Sequence, residues 1–252
     1  QREDEAESLV RQALQISREE EHPEWEGYSL VSLGRIAGLR DDFEGEERYY
    51  REALEVGRES GIVKLQAEAL DFLGVLCSAL DRVEEAEGHY REALGLLKNS
   101  HPLARAGLNN ALGNAIGLRG DIEQAEGHYL EALRLYRSVS DQAGEADMLN
   151  SLGALHLSTR PPSVGTAGRF FRQSLAIYLE IDDSDGISMV RSNLKAITRL
   201  WVVSFSVLFV GGAVFLAGLT VVDGNKLVRG LVSVCGLFVA FVGFSAFSLR
   251  KK

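Results

Sequence analysis

Histidines and carboxylates are the side chains of this chain that could hold a metal or move protons. His89 and His128 recur 39 residues apart, each directly ahead of a tyrosine. Neither belongs to an HExxH pair and no third ligand falls at a metal-binding spacing, so they read as equivalent surface positions of a repeated unit. Glu44, Glu46, Glu47, Glu84, Glu85 and Glu87 gather where helices are expected to begin. Negative charge there complements the helix dipole, and these residues are read first as solvated stabilisers. Cys77 and Cys235 form neither a CxxC pair nor a disulfide framework. The amides suggest more: Asn110 and Asn150 each stand two residues ahead of a Leu-Gly pair. An amide can donate to a carbonyl and accept from an N–H, which suits gripping a peptide backbone without reading its sequence. The alternative is that these asparagines join neighbouring helices. Neither role is catalytic, and the chain is expected to be no enzyme and to use no cofactor or metal.

The elements that would position such residues repeat. Leu33-Gly34, Leu73-Gly74, Leu112-Gly113 and Leu152-Gly153 place their glycines 40, 39 and 40 residues apart. Seventeen residues after the first three leucines come Tyr50, Tyr90 and Tyr129; the fourth copy has Phe171, two residues late, behind Pro161 and Pro162. Prolines there lengthen the turn between helices. Leu70, Leu73, Cys77 and Leu80 keep helical spacing, so each unit reads as a helical pair, A then B. Gly on helix A and Ala53, Ala93, Ala132 or Ser174 on helix B would let the pair approach closely, with the tyrosines filling the space beside them. The units are expected at about 27–60, 66–100, 105–139 and 145–182, with a final helix A at 186–198. Val10-Arg11-Gln12-Ala13-Leu14 matches Tyr90-Arg91-Glu92-Ala93-Leu94, so the chain opens on a helix B and the array is expected to begin ahead of Gln1.

Over residues 1–198 this pattern resembles the tetratricopeptide repeat, in the longer variety of about 40 residues seen in kinesin light chains. The resemblance implies an all-α fold, an α-solenoid of antiparallel helix pairs in which no single repeat buries its own face. It also implies that helices A line a concave face that holds a protein or peptide. Carried over column by column, the polar residues on that face are Arg35, Asp71, Asn110, Asn114, Asn150 and Ser192.

Two apolar runs follow, with no charged side chain from Leu200 to Val222 or from Gly230 to Leu249. A bilayer core about 30 Å thick needs roughly 20 helical residues, so 199–252 is expected to be a transmembrane hairpin with spans of about 200–222 and 229–249. Arg191, Lys195, Arg199 and Trp201 would lie at the membrane interface. Arg250, Lys251 and Lys252 form a basic tail, so by the positive-inside rule the repeats and the C-terminus are expected in the cytoplasm. Ala213 and Ala217, with Gly236 and Ala240, are small-xxx-small pairs that would let two spans, or two copies of the hairpin, pack together as a homo-oligomer.

Charge narrows the partners. Five Lys/Arg against one Asp follow residue 200, a net of +4, which leaves −13 of the overall −9 on the preceding part. Nucleic acid is disfavoured, because phosphate binding needs clustered basic side chains; basic peptides or proteins fit better, and membrane lipid is expected as a partner of the two apolar runs. The expected function is a membrane-anchored scaffold that binds a protein or peptide. Its rivals are the C-terminal sensor and anchor of a larger signalling protein, such as an NTPase, and an oligomerising membrane assembly or pore component.

Overall fold

The computed structural model describes residues 2–98 and 100–199, with side chains from Asp4 onward. These residues form helices and turns, with no strand among them. The helices are α1 (Arg2–Glu19), α2 (Pro23–Leu39), α3 (Phe43–Glu59), α4 (Val63–Ala79), α5 (Val83–Leu97), α6 (Pro102–Arg119), α7 (Ile122–Ser138), α8 (Gln142–Ser158), α9 (Val164–Glu180) and a last run, α10, over 184–199. Helices α2, α4, α6 and α8 carry the Leu-Gly pairs and are the A helices; α3, α5, α7 and α9 are their B partners. The compact repeat unit runs to Leu194. The apolar runs 200–222 and 229–249, Trp201 and the basic tail lie outside the described residues. Among the described residues no helix is long and apolar enough to cross a membrane.

The A helices start at 23, 63, 102 and 142, three or four residues ahead of the starts expected from the pattern. Local chemistry sets these starts. Pro23 and Pro102 occupy the first helical turn, where a missing N–H costs nothing, and Asp141 caps α8 by accepting from the Gly144 N–H at 2.9 Å. Consecutive helices fold back through turns of two to five residues. Seven of these turns share one device: a left-handed residue (Glu21, Asp41, Gly61, Asp81, Gly120, Ser140, Asp182) recurs about every 20 residues. The following N–H then reaches back to the helix end, as in Asp42 to the Ala37 carbonyl and Arg82 to the Cys77 carbonyl, at 3.0 and 2.8 Å. This is the Schellman closure, which satisfies carbonyls that a helix end would leave bare.

Packing within each pair follows the small-against-large expectation. The rings of Tyr50, Tyr90, Tyr129 and Phe171 lie over Gly34, Gly74, Gly113 and Gly153, so close that a methyl added at any of the four would overlap ring carbons. Ala53, Ala93 and Ala132 are wholly buried beside them. Ser174 takes the same column in the fourth unit, also wholly buried, and its hydroxyl is satisfied by the Ala146 carbonyl at 2.8 Å. Glu46, where Ala86 and Ala125 stand in the next two units, lays its carboxyl over Gly38, and burial raises its pKa.

Between repeats the sequence reading needs correction. Glu7, Glu47, Glu87 and Glu126, one per B helix, do not simply face water. Each reaches the end of the following A helix or the turn behind it: Glu7 to Arg40 at 2.5 Å, Glu47 to Arg82, which caps α5, at 2.8 Å, Glu87 to Arg119 at 3.0 Å and Glu126 to His156 at 3.3 Å. On α1, α3 and α5 an arginine one turn along the same helix (Arg11, Arg51, Arg91) also pairs with the carboxylate. The arginines hold the Glu7 and Glu47 carboxyls below the usual range. A second line of pairs, Arg18 with Glu52 and Arg58 with Glu92, links successive B helices. These side chains are 43 to 46% exposed, and pairs so solvated contribute little.

Candidate interaction face

The A helices touch in sequence, α2 on α4 and α4 on α6, so their outward residues form one continuous face. On each, residues spaced i, i+4, i+8 share a stripe away from the Gly column. The stripes are Val31-Arg35-Leu39 on α2, Asp71-Val75-Ala79 on α4, Asn110-Asn114-Leu118 on α6 and Asn150-Ala154-Ser158 on α8. Each runs from a buried or half-buried residue to exposed ones. All six residues expected on this face belong to these stripes or, for Ser192, to the matching column of α10.

Their surroundings differ. Arg35 and Ser192 are exposed. Asp71 is half-buried, and loss of water, with Glu68 one turn away, raises its carboxyl to about 6. The Asn110 carboxamide oxygen is fully covered and has no hydrogen-bond partner among the described residues. Asn114 accepts from the Tyr129 hydroxyl at 2.6 Å and so ties α6 to α7. Asn150 accepts from the Asn193 amide at 2.8 Å and lies 3.7 Å from the Met189 sulfur, which joins α8 to α10. Asn150 thus makes a helix-joining contact, whereas Asn110 makes none among the described residues. Arg191, Lys195 and Arg199 are exposed on α10 at one-turn intervals.

His89 and His128 are half-buried rather than on the surface, and loss of water lowers the pKa of both. His128 Nδ1 is 2.9 Å from the Asn109 oxygen, a contact between α6 and α7. Sequence reasoning missed the apolar part of the face: Leu39, Val75 and Leu118 are 72, 52 and 75% exposed. Their signal was an apolar residue four or eight places past the polar column, which periodicity alone assigns to a core. Tyr28, the first residue of the Glu68 column, was missed too. Its hydroxyl is covered and has no partner among the described residues, and the Lys64 ammonium stands 5.6 Å from its ring centre.

No family model and no curated protein matches the chain. Solved structures do. BtubC (BKLC) from P. vanneervenii is similar with a TM-score of 0.71 at 21% identity, over 96% of this chain and 93% of that one. The apo form of RapI is similar with a TM-score of 0.65 at 16% identity, over 96% of this chain and 80% of that one. At such identities the likeness speaks of the fold alone. The chain has an all-α, tetratricopeptide-like helical-repeat fold.

Proposed function

We propose that the chain is a non-enzymatic scaffold that holds a protein or peptide against its A-helix face. The observation that carries this reading is the alignment on one face of exposed large apolar side chains, Leu39, Val75 and Leu118. Apolar side chains aligned across neighbouring helices are the usual mark of a surface that meets a partner. To test it, Val75 and Leu118, both exposed on the face, are replaced by Ser in the full chain, and capture of cytosolic proteins is measured. Reduced capture with an unchanged melting curve is the expected result; unchanged capture by a folded variant rejects the assignment.

The same proposal anchors the scaffold through residues 199–252, as a two-span hairpin with both ends in the cytoplasm and basic residues of α10 at the headgroups. Its support is the length of the uncharged runs and the placement of Lys and Arg around them. A cysteine introduced at Asn225 should react with an impermeant maleimide only from the non-cytoplasmic side. Labelling from the cytoplasmic side contradicts the orientation.

A further inference from the structure

We propose that the partner of the A-helix face is a basic amphipathic helix, an inference that rests on the reading of that face as the binding surface. Leu39, Ala79 and Leu118 stand at one level of α2, α4 and α6, with Val75 one turn inward on α4, and all four are exposed. Packed helices lie about 8–10 Å apart, so these apolar side chains recur at roughly 10 Å. A helix rising 1.5 Å per residue covers that distance in about seven residues, two turns, and returns the same side to the face. An extended strand covers it in about three residues, which puts successive anchors on opposite sides. A helical ligand with apolar residues at i, i+7 and i+14 therefore meets all three levels, whereas a strand meets alternate ones.

Charge selects the flank of that helix. Ahead of the apolar row along the same helices lie three acids, Glu68 and Asp71 on α4 and Asp147 on α8, against two cations, Arg35 on α2 and Lys64, one turn ahead of Glu68 and over the Tyr28 ring. Asp147 accepts from the Tyr178 hydroxyl, while Glu68 and Asp71 form no ion pair among the described residues. Lysine or arginine beside the apolar anchors would complement them, and acidic side chains there would be repelled.

The test uses the full chain and a fluorescent peptide of leucine and lysine, roughly 18 residues or five helical turns, followed by anisotropy at about 0.15 M salt. A leucine–glutamate counterpart and a serine–lysine counterpart are run beside it. The account expects binding of the leucine–lysine peptide only. It also expects a loss of about tenfold or more on Val75→Ser with Leu118→Ser, a smaller loss on Asp71→Asn, and no change on Leu130→Ser, an exposed residue of α7. Stripe-dependent binding of the leucine–glutamate peptide overturns the charge class and leaves the face intact. Failure of the leucine–lysine peptide to bind, or binding indifferent to Val75 and Leu118, overturns the proposal. The face itself is then judged separately, by cross-linking from Val75.

Discussion

Glu87 of α5, with only 2% of its side chain exposed, lies 3.0 Å from Arg119 at the end of α6, the following A helix. Two guanidiniums, Arg119 and Arg91, stand at ion-pair distance from this covered carboxylate and offset its loss of water, although its Oε1 accepts no hydrogen bond among the described residues. The contact is one rung of a series that recurs at every joint between repeats from α1 to α8, beside the apolar core that the units share.

Removing Arg119 should therefore cost more than removing a surface cation. Arg119→Met leaves Glu87 with Arg91 alone and should lower stability by about 1–3 kcal/mol in a denaturant titration. Arg58→Met, which breaks the exposed pair with Glu92, should cost less than about 1 kcal/mol. Equal losses would mean that the Glu87 contact carries no special weight.

The Gly–Tyr contacts set a second expectation. A methyl at Gly74 would overlap the Tyr90 ring, so Gly74→Ala should cost about 1–3 kcal/mol through overpacking. Tyr90→Ala should cost about 3–5 kcal/mol through the cavity it leaves. In the double variant the alanine methyl no longer meets a ring, so the two losses should sum to less than their separate values. Strict additivity would contradict the packing described.

Asp71 gives the pH dependence a sign. Its carboxyl is raised from 3.8 to about 6, so between those values the folded chain holds more protons than the unfolded one. Its contribution is fully present below the unfolded value, and stability falls as pH rises through about 6. Asp71→Asn should remove that fall and leave the variant more stable than the parent at pH 7, by of order 2 kcal/mol. Thermal melts of both proteins from pH 4 to 8 check this; parallel profiles would show an Asp71 carboxyl that titrates normally.

The covered, unpartnered oxygen of Asn110 makes a further prediction. A buried acceptor without a donor costs about 1–3 kcal/mol, so Asn110→Leu should hold or raise the melting temperature. A marked loss of stability would mean that the amide is serving the fold.

Much of the fold could be read from the chain because the Leu-Gly and Tyr columns are strictly local signals that repeat about every 40 residues. A glycine that recurs opposite a tyrosine announces a close helix pair before any coordinates exist. The joints between repeats were not legible. Glu87 and Arg119 are 32 positions apart, and nothing in either residue's neighbourhood distinguishes a covered carboxylate from a solvated one. The same limit applied to the face. Asn110 and Asn150 occupy identical columns, yet α10 supplies Asn193 to one of them and nothing comparable meets the other. Helix starts were misplaced by about a turn, because Pro23, Pro102 and Asp141 act before the apolar pattern begins.

The central claim is that the A-helix face is where a partner lies. A photo-reactive amino acid placed at Val75, and in a second variant at Leu130 on α7, tests it most directly in the full chain within its native cells. The account predicts cross-linking to a defined partner from Val75 and none from Leu130. Cross-linking from Leu130 but not from Val75 would contradict it.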